Sequence, residues 1–403
     1  MLKYYDFFAG AGLVQLGLGR DWTCAWANDI DPRKAEIYKA NFGDALFQLG
    51  DVAEIEVKSL PRRVDMAWAS FPCQDLSLAG WRGGMSAQRS GTFWAYWRLM
   101  RDLFAAGDRP SLIVIENVAG LLYKDNFLGL CEALAVLGMQ FGGLVIDARW
   151  FVPQSRPRVF VVAVDMRVDC SSLLDPSPRG SKWLPNSLLS AYNTLPNSLR
   201  DLWRWWTLPI PPHIVASVDD LIDDETQEVE SHLLHETKRL VAMMSPLNRE
   251  KVNKALALRR RCVGFLYKRI RAGVQRAEVR FDGIAGCLRT PQGGSSRQTV
   301  LVAKNGKLRS RLLAPREAAR LMGVPDSFWL PLNYNDAYRG IGDGVAVPVV
   351  AWLSKNLLIP LAKACQRAAL PTRNEIGLEL NENLLTMRES SEARAAQWAR
   401  SRT

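Results

Sequence analysis

Ser70-Phe71-Pro72-Cys73-Gln74 closes the run Val64 to Ala69, and Glu116-Asn117-Val118 closes the apolar run Leu112 to Ile115. Both runs read as buried strands, so a thiol and a carboxyl stand at two strand ends, the arrangement of a nucleophile facing an acid. A free cysteine is more often a small buried apolar residue. Here Pro72 and Gln74 flank Cys73, and Ser77, Gly80 and Gly83-Gly84 follow, so the thiol belongs to a loop. The reactive form is the thiolate, and a free thiol with a pKa of roughly 8.5 needs positive surroundings or a base. Arg156 and Arg158, in Gln154-Ser155-Arg156-Pro157-Arg158, could supply that charge, and Glu116 could pair with either. To donate a proton, Glu116 would need its pKa raised by burial.

Phe8-Ala9-Gly10-Ala11-Gly12 follows the first apolar strand and opens a helix, where backbone N–H groups and the helix dipole attract an anionic group. It is not a dinucleotide fingerprint, because the third glycine of that pattern would fall at Gln15. A tight structural turn is as good a reading of this Gly-x-Gly as a ligand loop. Asp29, ending Trp26-Ala27-Asn28-Asp29, and Asp51, in Gly50-Asp51-Val52, tip the balance. Each alone reads as a helix cap. Acids in register at successive strand ends point to a nucleoside cofactor.

These residues need a scaffold that brings strand ends together. Through residue 165 short apolar strands alternate with amphipathic helices, with strands over Leu2 to Phe8, Thr23 to Ala27, Val64 to Ala69, Leu112 to Ile115, Leu144 to Ile146 and Val159 to Val164. That alternation predicts an open, mainly parallel α/β sheet, which binds ligands outside the carboxyl ends of its strands. After Val164 the pattern gives way to Pro, Ser and Leu, a tryptophan cluster (Trp203, Trp205, Trp206) and an acidic run from Asp219 to Glu236. Helical patterning returns at Pro315-Arg316-Glu317 and from Val345 to Leu358. Four segments result: a catalytic and cofactor-binding domain over 1–166, a second unit over 167–312, a return to the first domain over 313–365, and a charged tail over 366–403.

The chain has 403 residues, 48% of them hydrophobic, and a formal charge of +11. The charge is concentrated: from Leu258 to Arg311 there are 14 Lys or Arg against Glu278 and Asp282. Such a segment suits a polyanion. Arg259-Arg260-Arg261 within it reads as a solvated helix face. Seven scattered cysteines without a CxxC pair indicate neither a disulfide framework nor a zinc ribbon, and fit a reducing compartment. His232 and His235 beside the acidic run read as a solvated face and not as metal ligands. With no signal peptide and no apolar run near the roughly 18 residues of a membrane span, a soluble cytoplasmic protein without membrane or metal is expected.

Together these residues closely resemble the cytosine-C5 DNA methyltransferases over roughly residues 3 to 360. Asp6 to Gly12 resembles the family's first motif, Pro72-Cys73-Gln74 its nucleophile motif, Glu116-Asn117-Val118 its acid motif and Gln154 to Arg158 its QxRxR motif. Pro315 to Gly323 and Gly342-Asp343-Gly344-Val345 resemble the last two. The resemblance implies the Rossmann-like S-adenosylmethionine-dependent methyltransferase fold: a mixed sheet with helices on both faces, plus a smaller, partly β target-recognition domain over 167–312. It implies Cys73 as nucleophile and Glu116 at cytosine N3 and the exocyclic amine. Arg158 would sit at cytosine O2, orienting Glu116, with Arg156 beside it. Around S-adenosylmethionine, and its product S-adenosylhomocysteine, it implies Phe8, Gly10, Gly12, Asp29, Ile30, Asp51, Val52, Pro72, Asp343 and Val345.

Three positions depart from the family pattern. Ser90-Gly91-Thr92-Phe93 stands for Arg-Gly-Thr-Leu, with Arg89 a candidate substitute; Asp343 stands for Asn, adding a carboxylate near the sulfonium; and Pro157 stands for Glu. Gln74, Ser77, Gln275, Arg276, Arg289, Gln292 and Arg297 are the expected contacts to duplex DNA, because Arg and Gln can bond guanine and adenine edges. The expected enzyme is a monomeric DNA cytosine-5 methyltransferase of restriction-modification type that flips its target base, with room for a cognate endonuclease as partner. Two alternatives stay open: a tRNA cytosine-5 methyltransferase, although the Cys-Phe-Thr signature of that branch is missing, and a DNA-binding regulator impaired in catalysis.

Overall fold

A computed structural model describes residues 1–72, 91–177, 181–211, 216–271, 273–288 and 297–368. The first lobe is built on strands β1 (Leu2–Phe7), β2 (Trp22–Asp29), β3 (Phe47–Leu49), β4 (Met66–Ala69), β5 (Leu112–Asn117), β6 (Met139–Asp147) and β7 (Pro157–Asp165). They form one sheet in the order β3-β2-β1-β4-β5-β7-β6. β3 through β5 run parallel, while β7 lies antiparallel to both β5 and β6. Every residue of β4 and β5 is buried, as expected of central strands covered on both faces. The short run at 144–146 is the end of a nine-residue strand, β6, whose glycines hid its length.

Between the strands lie α1 (Leu13–Leu18), α2 (Pro32–Phe42), α3 (Thr92–Ala105) and α4 (Lys124–Val136). The start of α2 is set by Asp31, whose carboxylate accepts from Arg33 N at 3.1 Å, and by Pro32, which needs no intrahelical acceptor.

Composition changes at 166/167, yet the core continues past that point. The segment carrying α5 (Asn186–Asn193) and α6 (Asn197–Arg200) seals the exposed edge of β6. Phe141 N donates to Leu202 O, Arg204 N to Phe141 O and Val145 N to Trp183 O, so the edge strand's free backbone groups are paired. Trp183, Trp203 and Trp206 are buried in the same core as the sheet.

The second lobe is an antiparallel sheet in the order β11-β10-β8-β9: β8 (Cys262–Arg271), β9 (Val274–Arg280), β10 (Thr299–Lys304) and β11 (Lys307–Leu312). It follows α7 (Val218–Leu221), α8 (Leu234–Ala242) and α9 (Pro246–Ala257), and has its own small core around Leu240, Met244, Leu266 and Leu301. Arg259-Arg260-Arg261 lies beyond the end of α9, so it is not a helix face. Arg259 takes a left-handed φ of 55°, and Arg261 pairs with Asp219 and Asp224. The acidic run is thus a strap. It also reaches Lys304 through Asp224 and Arg320 through Asp223, while His232 Nδ1 lies 2.9 Å from Ser310 Oγ.

The chain returns through α10 (Pro315–Leu321), α11 (Tyr334–Gly342), α12 (Val347–Leu353) and α13 (Ile359–Arg367). α12 packs on α1 and α11 on α2. Contrary to expectation, one helical stretch, Tyr334–Arg367, is long and apolar enough by composition alone to cross a membrane. Most of its apolar window is buried against the sheet lobe, as in a core helix. Residues 369–403, most of the expected tail, lie outside the described residues.

Candidate active site

The register aligns the strand ends along one edge. Phe7 sits between Asn28 of β2 and Ala69 of β4, Ala69 pairs with Ile115, and Asp29 pairs with Leu49. The loop after β1, Asp29, Asp51, Pro72 and Glu116 therefore share the carboxyl end of the sheet. The β1 loop is tightly specified: Phe8, Gly10 and Gly12 all have positive φ, and a Cβ on Gly12 would collide with the Phe42 ring. Gly10 N donates to Asp29 Oδ2 at 2.8 Å and Asp31 N to Asp29 Oδ1 at 2.9 Å, which fixes the buried carboxylate while leaving further lone pairs. Beside it Ile30 is 65% exposed, an apolar surface open to a flat ligand. Asp51 accepts from Ala53 N at 2.9 Å and Val52 is buried.

At β5 the sheet positions a second group. Glu116 is opposite Phe160 across the antiparallel β5–β7 pair, which puts Arg158, two residues along β7, on the same face and diagonally adjacent. Arg158 Nε lies 3.1 Å from Glu116 Oε1, and both side chains are largely buried. Asn117 Nδ2 donates to Phe71 O at 2.9 Å, tying the end of β5 to the residues that lead into Cys73.

Arg156 has a different place. It is 1% exposed, and donates through Nη1 to Leu288 O (3.0 Å) and Cys287 Sγ (3.3 Å) and through Nη2 to the carbonyls of Gly342 (2.8 Å) and Gly344 (2.6 Å). Burial, reinforced by Arg158, brings its pKa down to about 10, so it stays charged at neutral pH. It joins the β7 turn, the second lobe and the last motif, a positioning role. Gln154, fully buried, does similar work, donating to Leu321 O at 2.9 Å and accepting from Leu288 N at 3.2 Å.

The family model for the C-5 cytosine-specific DNA methylases matches residues 2–358. The chain belongs to this family. Among curated relatives it is 28% identical over 380 residues to the Type II methyltransferase M.NlaX of Neisseria lactamica, covering 91% of this chain and 99% of that one. To the Type II methyltransferase M.HhaI of Haemophilus parahaemolyticus it is 26% identical over 361 residues, 88% and 94% of the two chains. Two solved structures share the fold. The S. pombe Dnmt2 methyltransferase has a TM-score of 0.53 at 17% identity, covering 90% of this chain and 99% of that one. The Entamoeba histolytica methyltransferase EhMeth has 0.55 at 16%, with the same coverage.

Against this family's pattern, Cys73, Gln74, Ser77, Ser90, Arg289 and Gln292 lie outside the described residues. Gln275 and Arg276 are exposed on β9, facing Ile270 and Arg269 of β8. Arg297 donates to Asn335 Oδ1 and lies 5.0 Å over the Tyr334 ring, so it is held at the junction of the lobes. Val345 is buried, and Asp343 pairs with Lys34 at 2.9 Å. Lys34 carried no signal in the sequence beyond being a helix lysine. The methylase's β1 also buries Asp6 completely, with both carboxylate oxygens unpartnered among the described residues. Burial, and then the Asp29 carboxylate, hold its pKa well above the usual carboxylate range. An acid whose pKa rises on folding costs nothing below its unfolded pKa and costs progressively more as pH rises above it. Asp6→Asn is therefore expected to raise the thermal midpoint clearly at pH 8 and much less at pH 4; an equal change at both would contradict this.

Proposed function

We propose that this methylase transfers a methyl group from S-adenosylmethionine to C5 of cytosine in a short duplex DNA site, through a covalent bond between Cys73 and cytosine C6. The observation that carries the reading is the Arg158–Glu116 pair at 3.1 Å, tethered through Asn117 to the strand end that leads into Cys73. The left-handed loop from Phe8 to Gly12, the Asp29 carboxylate and the exposed Ile30 fit an adenosyl ligand. When bound, that ligand supplies an electrophilic methyl.

Cytosine C5 is a weak nucleophile in the aromatic ring. Addition of the Cys73 thiolate at C6, with Glu116 donating to N3, saturates C6 and shifts the double bond to C4=C5, an enamine whose C5 can attack the methyl. Loss of the C5 proton to water then breaks the C6–S bond and expels the thiolate, and N3 returns its proton to Glu116, which restores the ring. Arg158 holds Glu116 and donates to cytosine O2, stabilising charge as it develops. Neither ring face is open in a duplex, so the base leaves the stack at a cost of about a few kcal/mol. Basic residues of the second lobe offset that cost through phosphate contacts. The Type II names of its relatives support a restriction-modification role; we propose that the methylase acts as a cytoplasmic monomer alongside a cognate endonuclease.

Incubation with methyl-labelled S-adenosylmethionine and mixed-sequence duplex DNA should label cytosine C5, and sequencing the converted DNA would give the site. Label in tRNA and none in duplex DNA would replace this reading with the tRNA alternative. Arg158→Ala is expected to lower kcat by about 10²–10³-fold while changing cofactor affinity much less. The reverse ranking would move Arg158 away from the cytosine.

A further inference from the structure

Along the sheet edge the described site residues follow strand order, from Asp51 after β3 through Asp29 on β2 and Gly10 after β1 to Pro72 after β4. A cofactor with its ribose on Asp29, as the family resemblance implies, and its methyl directed towards the β4 end, where Pro72 leads into the nucleophile motif, would carry its sulfonium over the end of β1. Lys34 lies there: a Cβ on Gly10 would be 3.9 Å from Lys34 Cδ. Its Nζ meets Asp343 Oδ2 at 2.9 Å, with the two side chains 17% and 37% exposed. Asp343 is in turn bracketed by Gly342 and Gly344, whose carbonyls Arg156 holds. The carboxylate that departs from the family's Asn thus has a cation of its own, supplied by α2.

We propose that Lys34 and Asp343 are a charge-matched specificity pair that sets the relative affinity for S-adenosylmethionine and S-adenosylhomocysteine. This rests on the cofactor reading above. The two ligands differ by a methyl group and one elementary charge at sulfur, so a lone charge nearby discriminates between them and a closed ion pair does so far less. Asp343 without Lys34 would favour the sulfonium over the product. Lys34 without Asp343 would do the opposite. At separations of several ångströms near a protein surface, one unit charge shifts such a ratio by about three- to tenfold after solvent screening.

The pair is separable from the fold. Arg339–Asp31 at 2.9 Å and Arg33–Asp336 at 3.5 Å also join α11 to α2, and Gly340 lets α11 approach Ile37 closely. Removing one charge therefore changes the field at β1 more than the packing.

Isothermal titration of the full chain with each ligand, without DNA, tests the proposal. Lys34→Gln should move the affinity ratio towards S-adenosylmethionine by about three- to tenfold and Asp343→Asn should move it towards S-adenosylhomocysteine. The double variant should return close to the original ratio. Arg33→Gln, breaking a neighbouring pair, should leave it unchanged. A merely structural role would weaken both ligands together, so single variants that shift the ratio in the same direction, or not at all, would overturn the pair alone. If the unaltered protein binds neither ligand, the cofactor reading itself fails and takes the pair with it.

Discussion

Cys73→Ser is expected to abolish methyl transfer, a loss of about 10³-fold or more in kcat, with cofactor and DNA affinity largely retained. The reason is chemical. Sulfur can reach the thiolate state near neutral pH when positive charge is close, whereas a serine hydroxyl cannot ionise there without a strong base. Arg158, held close beside Glu116 at the same edge of the sheet, is expected to supply that charge. The substitution also isolates the covalent step. A duplex whose target cytosine carries fluorine in place of the C5 hydrogen cannot lose a proton there, so the unaltered enzyme should leave a protein–DNA adduct that survives denaturant. Cys73→Ser should leave none. Full transfer by Cys73→Ser would rule out thiolate addition at C6, and Glu116 would then have to act on the ring without a covalent partner.

Arg156→Met should be the most destabilising single change near the site, by about 1–3 kcal/mol or more, read as a fall in the denaturant midpoint. It removes a buried cation and strands the carbonyls of Leu288, Gly342 and Gly344, each of which loses a charged donor, the first two of them in buried bonds. Those carbonyls belong to the second lobe and to the last motif. Loss of the guanidinium should therefore loosen the junction between the lobes, and hydrogen exchange should rise around 285–288 and 340–345. Arg156→Lys is not expected to rescue it, because a single ammonium cannot bridge carbonyls on two separate segments. An Arg156→Met protein as stable as the original would mean that these bonds add little over water.

The linear chain carried the chemistry and the layer architecture. Strand periodicity and turn residues are local properties, so the short apolar runs closed by Gly10, Asp29, Cys73 and Glu116 announced both a parallel sheet and reactive groups at its carboxyl edge. The order of strands and the segments that cover the sheet depend on contacts between distant parts of the chain. The tryptophan cluster reads as the start of a second unit, yet it seals β6, because an edge strand's unpaired backbone needs a partner. Glu116 could have paired with Arg156 or Arg158. The antiparallel register of β5 and β7 decides for Arg158, since only that residue is a same-face diagonal neighbour, and it leaves Arg156 to the glycine carbonyls. Asp343 looked like an unbalanced carboxylate beside a sulfonium. Only the docking of α11 on α2 brings Lys34 to it from the other end of the chain, and charge balance in a site is a property of distance that a sequence does not carry.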